Sequence, residues 1–290
     1  MNQARNAHPE LRAGPLRVAL RPDLGGTIAG FWHGLDPVMR STEAADLERA
    51  RLGACYPLLP FSNRIGNRRF QWQGQVHELE ANDDGEHALH GVAWQRPWTI
   101  EREDERSASL VFRHDASGEG ARAWPFSFDV RQTFTLESDS LEVQLEVTSR
   151  ADQPAPAGMG WHPYFPKRQR SRIHAELDHR WDSDAAGLPV HRVEQHSLDS
   201  DVAYLELDNV FEGWEGTARI RDEKLSLRLT SSLHCLVVYT PQTKPYYCVE
   251  PVSHVSNALN MPDPESLGMR VLQPGQTLTA WMRIEVLDTK

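Results

Sequence analysis

Hydrophobic and polar residues alternate along most of the chain. The segment 126–136 carries hydrophobic side chains at nearly every second position, and the segment 141–147 repeats this alternation after the polar residues 137–140. Two alternating runs joined by a short polar turn predict an antiparallel hairpin with one buried face. The same pattern predicts strands in four further segments, which are 16–32, 69–79, 218–232 and 278–287.

Helical periodicity is scarce. The segment 42–53 predicts a short helix and 264–269 a single turn. Many short strands separated by turn signals predict an all-β sandwich or barrel rather than an α/β fold. The chain has no internal repeat and no low-complexity tract, and its best linker candidate, 150–158, leads directly into a histidine motif. We therefore predict one domain over residues 1–290.

The formal net charge of the 290-residue chain is −10. This balance argues against a nucleic-acid partner, because phosphate binding needs a clustered basic face. The densest basic run, 167–172, is typical of a solvated loop. No apolar stretch approaches the roughly 20 residues of a membrane span, so we predict no membrane partner. The first residues lack the apolar core of a signal peptide, and we expect a cytoplasmic protein.

Motifs for metals, nucleotides and hydrolytic triads are missing from the sequence. The cysteines are odd in number and far apart, so neither a disulfide framework nor a zinc ribbon is predicted. His87 and His90 with Asp83, Asp84 or Glu86 are the best metal-ligand candidates, but their spacing is not that of a helical zinc motif. The chain contains no GxSxG, P-loop or GxGxxG motif. We predict no required metal and no cofactor.

Two side chains carry the strongest acid–base signals. Glu250 follows the apolar residues 246–249, and burial at the end of a strand raises a carboxylate's pKa and makes it a better proton acceptor. A salt bridge to an arginine is the alternative for Glu250. His162 precedes Pro163, which restricts the backbone of the residue before it and so orients the imidazole. This orientation suits proton transfer, while a metal ligand and a structural histidine are the alternatives.

Several other polar residues stand beside rigid or apolar neighbours. Arg64 presents a planar set of donors suited to sugar hydroxyls or a carboxylate, with a surface ion pair as its alternative. His90 precedes Gly91, which permits close approach of backbone or ligand. Asp208 belongs to a pair that is also typical of a turn cap, and tryptophan offers a flat face for a sugar ring. The candidate binding residues are Arg64, His90, Asp208, Asn63 and Trp161.

Five motifs, taken in order, resemble those of the aldose 1-epimerase (galactose mutarotase) family. They are NRIGNRRFQWQG at 63–74, LHGVAW at 89–94, GWHPYF at 160–165, LDNVFEGW at 207–214 and CVEP at 248–251. Each motif alone is weak, whereas their order and separation are specific. The opening hairpin also looks like the family's first hairpin, so the resemblance covers nearly the whole chain. The resemblance implies an antiparallel β-supersandwich, in agreement with the alternation.

The resemblance also implies a reaction, the interconversion of the α and β anomers of a hexopyranose. By position in the motifs it makes Glu250 the general base and His162 the general acid, while Arg64, His90 and Asp208 hold the sugar's hydroxyls and ring oxygen. This chemistry needs neither metal nor cofactor and implies a small sugar as partner, with monomer and homodimer both open. Since His162 must be protonated while Glu250 is ionised, we expect a bell-shaped pH–rate profile that curves between about pH 5 and 8.

Three alternatives stay open. A non-catalytic sugar-binding module on the same fold has no need for both His162 and Glu250. A glycoside-cleaving enzyme needs a second carboxylate, for which Asp208 is the candidate. Arg68 and Arg69 lie close to Arg64 in sequence. They are either surface charge or the mark of an anionic sugar, such as a sulfonated or phosphorylated hexose.

Overall fold

The computed structural model describes residues 8–287, and short antiparallel strands make up most of this range. The strands of the first half are β1 Glu10–Ala13, β2 Leu16–Arg21, β3 Thr27–His33, β4 Asp36–Pro37, β5 Pro57–Leu58, β6 Arg64–Ile65, β7 Arg69–Trp72, β8 Gln75–Glu78, β9 Ala88–Leu89, β10 Thr99–Glu103, β11 Ser107–His114, β12 Phe128–Leu136 and β13 Ser140–Ser149. The strands of the second half are β14 Ala155–Ala157, β15 Gly160–Trp161, β16 Tyr164–Pro166, β17 Arg172–Glu176, β18 His179–Ser183, β19 Pro189–Glu194, β20 Ser197–Asp201, β21 Asp208–Glu212, β22 Thr217–Arg221, β23 Ser226–Ser231, β24 Cys235–Tyr239, β25 Tyr246–Val252, β26 Arg270–Leu272 and β27 Thr277–Leu287.

Helical structure in residues 8–287 is limited to one α-helix and six single 3₁₀ turns. The α-helix is α1, Glu119–Ala123, and the turns are Ala44–Asp46, Ala50–Leu52, Gly66–Arg68, Ala93–Gln95, Val202–Tyr204 and Ala258–Asn260. The predicted all-β class is therefore confirmed. Within the described range, no helix has the length and apolar character needed to cross a membrane.

Nine strands form the largest sheet, in the order β10-β11-β12-β13-β27-β23-β22-β17-β20. Its centre contains the hairpin predicted from alternation, β12 with β13, whose register runs from Phe128 opposite Ser149 to Leu136 opposite Leu141. Every second residue of these strands is buried, which is the expected result of the two-residue period when one face packs against a core.

A second sheet, of eight strands, supplies the other half of the core and also carries the site. Its order is β19-β18-β21-β24-β25-β15-β5, with β16 also paired to β25. On β25, Tyr247 and Val249 join the same hydrophobic core as the nine-stranded sheet. Tyr246, Cys248 and Glu250 alternate with them and therefore project from the opposite face of the sheet. The outer face of the eight-stranded sheet is thus available for a binding site.

The helix predicted at 42–53 is wrong, because this segment contains only two separate 3₁₀ turns. Arginine side chains from outside the segment bind its carbonyl groups. Arg21 donates to the carbonyls of Ala44 and Leu47, and Arg40 donates to that of Gly53. These bonds satisfy carbonyls that a continuous helix would have paired with its own amides.

Candidate active site

A cavity of about 500 Å³ opens on the outer face of the eight-stranded sheet. Its wall is unusually rich in charge and in tyrosine. Five cationic side chains and three carboxylates reach it, together with four tyrosines, which are Tyr56, Tyr164, Tyr239 and Tyr246. The lining comes from segments far apart in sequence, so the sheet is what brings them together.

Glu250 and His162 meet in this cavity. The Nε2 atom of His162 lies 3.4 Å from Oε1 of Glu250, and both side chains are almost fully buried. Glu250 lies within β25, opposite Val237 of β24, rather than at the end of a strand as predicted. His162 lies in the short gap between β15 and β16, and its backbone N–H donates to the carbonyl of Tyr56 at 3.0 Å. The sheet therefore fixes the backbones on both sides of this contact.

Burial acts against both charges of this pair. It lowers the pKa of His162 to about 3, with smaller contributions from the positive charges of Arg40 and Arg51. It also raises the pKa of Glu250 well above its ordinary value, assisted by the negative charge of Asp208. The close contact allows an ion pair, but desolvation favours the uncharged forms. Desolvation therefore favours a neutral imidazole on His162 beside a protonated carboxyl group on Glu250.

Aromatic rings hold the imidazole of His162 in place. The ring of Tyr164 stacks on it with a centroid distance of 4.4 Å, and the ring of Tyr56 lies 4.9 Å away. The His90 ring meets it edge-on at 5.2 Å. Within residues 8–287 the Nδ1 atom of His162 has no hydrogen-bond partner, so packing rather than a hydrogen bond sets the orientation of the ring.

His90 is held in the cavity wall by a reciprocal pair of hydrogen bonds with Asn63. The His90 N–H donates to the carbonyl of Asn63 at 2.8 Å, and the Asn63 N–H donates to Nδ1 of His90 at 3.1 Å. Burial is the main reason why the pKa of His90 lies well below its ordinary value. A neutral imidazole that accepts at Nδ1 carries its hydrogen on Nε2. His90 is therefore a hydrogen-bond donor at the cavity wall.

Arg64 and Asp208 continue the cavity wall beside Asn63. The Nη2 atom of Arg64 lies 3.2 Å from Oδ2 of Asp208, and its Nη1 donates to Oδ1 of Asn63 at 3.0 Å. The same Asn63 oxygen accepts from Ser256 at 3.2 Å. Asp208 is the first residue of β21, so the alternative in which it caps a turn is wrong. These bonds leave a fixed cation and a fixed carboxylate side by side, which suits recognition of vicinal sugar hydroxyls.

Comparison with known proteins places the chain in a family. The sequence profile of the family Aldose 1-epimerase matches residues 10–285. The chain belongs to the aldose 1-epimerase family. The family is one of isomerases of the mutarotase class, and this member is therefore an enzyme of that class.

Individual relatives of this aldose 1-epimerase family member agree in sequence or in fold. The uncharacterized protein YphB of Escherichia coli (strain K12) is 30% identical over 282 residues, which are 91% of this chain and 93% of that one. The crystal structure of a galactose mutarotase-like protein from Clostridium acetobutylicum has a TM-score of 0.86 at 19% identity, with 97% and 95% of the two chains covered. A GalM/aldose epimerase homologue from C. elegans gives a TM-score of 0.82 at 18% identity, with 98% and 99% covered. These two structures show the supersandwich fold.

Trp161 is the one predicted binding residue of this family member that lies outside the cavity. It is 1% exposed and belongs to the hydrophobic core between the large sheets. Successive side chains of an extended backbone point to opposite faces, so His162, which directly follows β15, faces the cavity while Trp161 faces the core. The prediction that Trp161 contacts the sugar is therefore wrong. The other candidates, Asn63, Arg64, His90, His162, Asp208 and Glu250, all line the cavity.

Arg68 and Arg69 do not line the cavity, although the sequence placed them close to Arg64. The positive charge comes from residues that sequence reasoning did not identify, which are Arg40, Arg49, Arg51 and Lys244. In the sequence, only the proximity of Arg49 to Arg51 suggested a cluster of positive charge. Both residues lie in the segment that was predicted to be a helix, so they were not assigned to the site.

One buried group in the described range has the composition of a metal-ligand set. A ligand atom from each of His162, Cys248 and Glu250 lies within 4.8 Å of the other two. The set predicted as the best candidate, around His87 and His90, is not among such groups in residues 8–287. Since two members of the buried trio are the acid–base pair, a metal here would compete with proton transfer.

Proposed function

We propose that this enzyme interconverts the α and β anomers of a hexopyranose, with Glu250 as general base and His162 as general acid. The observation that carries the proposal is the 3.4 Å contact between His162 Nε2 and Glu250 Oε1 in the cavity. Mutarotation needs a base at the anomeric hydroxyl and an acid at the ring oxygen. Both oxygens are bonded to the same carbon, so the two catalytic groups must be neighbours, as these are.

The proposed reaction transfers two protons and breaks one bond. Glu250 removes the proton of the anomeric hydroxyl while His162 delivers a proton to the ring oxygen. The bond between C1 and the ring oxygen breaks, and C1 becomes the aldehyde carbon. Rotation about C1–C2 presents the other carbonyl face, and closure with the proton roles reversed gives the other anomer. Paired acid–base assistance of this kind supplies about 10²–10⁴-fold, which suits a reaction that also proceeds in water.

Burial of the pair supports ring opening in particular. Opening moves a proton onto Glu250 and takes one from His162. These are the directions favoured by the raised pKa of Glu250 and the lowered pKa of His162. A neutral His162 beside a protonated Glu250 is also the protonation state that accompanies the open-chain aldehyde. Hydrogen bonds from the bound cyclic sugar must offset this preference before opening begins.

The alternatives fit the cavity less well. Glycoside hydrolysis uses two carboxyl groups, separated by about 5–5.5 Å or about 6.5–9.5 Å. Here the group in contact with Glu250 is an imidazole, and Asp208, the second carboxylate candidate, is bonded to Arg64. A non-catalytic binding module would not need a desolvated acid–base pair in its cavity.

Exchange spectroscopy at the anomeric protons tests the proposal. Neutral hexoses such as glucose and galactose, and hexoses that bear an anionic group, are incubated with the enzyme, and the exchange rate between anomers is compared with that in buffer alone. Glu250→Gln and His162→Ala should each lower the catalysed rate by about 10²-fold or more. Trp161→Phe is the control, since the residue lies in the core. Absence of acceleration for every sugar would contradict the proposed function, and full activity in both variants would contradict the residue roles.

A further inference from the structure

The cavity contains more positive charge than its own carboxylates balance. Arg40, Arg49, Arg51, Arg64 and Lys244 line it together with three carboxylates, Asp83, Asp208 and Glu250. This excess stands out in a chain whose formal net charge is −10. A neutral hexose offers no charge to balance it.

Two of the cations are already paired. Arg51 lies 3.0 Å from Asp83, and Arg64 lies 3.2 Å from Asp208. The third carboxylate, Glu250, contacts His162. Within residues 8–287, no carboxylate lies within the 4.0 Å of an ion pair from Arg40, Arg49 or Lys244. These three residues, the unpaired cations, therefore face the cavity without a counter-ion from the described part of the chain.

Arg40 is held rigidly, so it does not turn away to find a partner elsewhere. Its Nε and Nη2 atoms donate to the carbonyl of Gly53, and its backbone N–H donates to the carbonyl of Tyr164 at 2.7 Å. Its guanidinium lies 3.8 Å from the centroid of the Tyr164 ring and 4.8 Å from that of Tyr246. A cation fixed in this way is pre-organised for an anion, because little side-chain entropy is lost on binding.

Arg40 lies on the His162 side of the cavity. The ring of Tyr164 contacts the Arg40 guanidinium and also stacks on the His162 ring. On the other side, Glu250 has the ion pair of Arg64 and Asp208 as its charged neighbours. In the proposed reaction His162 serves the ring oxygen, and in a hexopyranose the carbon next to that oxygen bears C6. A sugar in this orientation directs its C6 substituent toward Arg40, while Arg49 and Lys244 line the same cavity.

We infer that the substrate is a hexopyranose with an anionic group at C6, such as a carboxylate, phosphate or sulfonate, bound by Arg40, Arg49 and Lys244. This inference rests on the proposed function, since the orientation of the sugar follows from the roles of His162 and Glu250. The unpaired cations, rather than Arg68 and Arg69, are therefore the residues that indicate an anionic substrate.

A matched pair of sugars isolates the charge. Glucuronate and glucuronamide differ at C6 by charge with almost the same shape, and anomer exchange of each is measured by NMR and corrected for its own uncatalysed rate. Glucose 6-phosphate and 6-deoxy-6-sulfoglucose, compared with glucose, distinguish among the three anionic groups. We expect kcat/KM to be about tenfold higher or more for at least one anionic sugar than for its neutral counterpart, and higher salt should reduce the difference.

Two double variants with the same loss of charge complete the test. Arg49→Gln with Lys244→Gln removes two exposed cations of the cavity, and we expect it to reduce the preference for the anion at least threefold. Arg68→Gln with Arg69→Gln removes two cations outside the cavity and should leave the preference unchanged. Equal loss in both double variants would overturn the inference. Catalysed exchange of neutral sugars without any preference for an anion would overturn it while leaving the proposed function intact. Acceleration of no sugar at all would refute the proposed function itself.

Discussion

The imidazole of His162 lies flat against the ring of Tyr164, with centroids 4.4 Å apart and planes inclined by 10°. The hydroxyl of Tyr164 lies 3.2 Å from that of Tyr56, whose ring also contacts the imidazole. This stack holds the proposed acid beside Glu250 without a hydrogen bond at Nδ1 from the described residues. Tyr164 is therefore a positioning residue for His162.

Two substitutions of Tyr164 distinguish the contribution of its ring from that of its hydroxyl group. Tyr164→Phe keeps the ring and should change kcat less than about threefold, whereas Tyr164→Leu removes the ring and should lower kcat about tenfold to a hundredfold, because misplacement of a catalytic group is costly. Steady-state kinetics on each purified variant, with a thermal melt to confirm folding, measures the difference. A folded Tyr164→Leu variant with native kcat would contradict the positioning role.

Gly91 shapes the wall that presents His90. Its φ is +70°, and a Cβ atom there would lie 1.8 Å from the carbonyl oxygen of Leu59. We expect Gly91→Ala to lower the free energy of unfolding by at least about 2 kcal/mol. Gly74, with a φ of +81° and open space around it, is the matched control, and Gly74→Ala should cost only about 1 kcal/mol. Urea unfolding of both variants measures the difference, and equal costs would show that the contact with Leu59 has no effect.

The pH–rate profile should be broad. Activity requires one proton on the pair of His162 and Glu250. A second proton binds only at low pH, because burial lowers the pKa of His162 to about 3, and the last proton leaves only at high pH, because burial raises the pKa of Glu250. The sequence predicted curvature between about pH 5 and 8. Burial moves the acidic limb of the profile to lower pH and the basic limb to higher pH, so the structure predicts a plateau in this interval. Rates of anomer exchange from about pH 3 to 10 measure the limbs, and a maximum confined to a narrow interval near neutrality would contradict the neutral pair.

Glu250 should also destabilise the protein as the pH rises. Its folded pKa is raised, so the native state retains a proton that the unfolded chain releases above its ordinary pKa. The stabilising contribution is complete below that ordinary value and is lost as the pH rises toward the folded pKa. The Glu250→Gln variant has no carboxyl group to titrate at this position, so it does not lose this contribution. The free energy of unfolding of the variant minus that of the native protein should therefore increase between pH 5 and 8, by up to about 1.4 kcal/mol per pH unit. Denaturant titrations at both pH values measure it. A difference that is constant with pH would show that Glu250 is ionised in the folded state throughout.

Much of the fold could be predicted from the sequence because it depends on local alternation, whereas the base and acid roles of Glu250 and His162 were predicted from the family resemblance. Alternation identified the hairpin of β12 and β13, since one face of each strand is buried. The motifs around His162 and Glu250 could be read because each polar residue stands within a rigid or apolar stretch.

The charged wall of the cavity could not be predicted, because its members are distant in sequence. Arg40 and Lys244 stand in unremarkable surroundings and come together only through the eight-stranded sheet. Arg49 and Arg51 lie in a segment whose composition favours a helix, but arginines from elsewhere bind its carbonyls instead. Trp161 was wrongly assigned to the site because the sequence does not show which of the two neighbours, Trp161 or His162, points into the cavity.

A double-mutant cycle on the acid–base pair tests the central claim most directly. Anomer exchange is measured for the native enzyme, Glu250→Gln, His162→Ala and the double variant, using the sugar that the native enzyme accelerates most. Residues that act as one catalytic unit have strongly non-additive effects. The account predicts that the double variant is about as slow as the slower single variant. Losses that multiply in the double variant would contradict it, because two residues that act independently do not share one proton-transfer step.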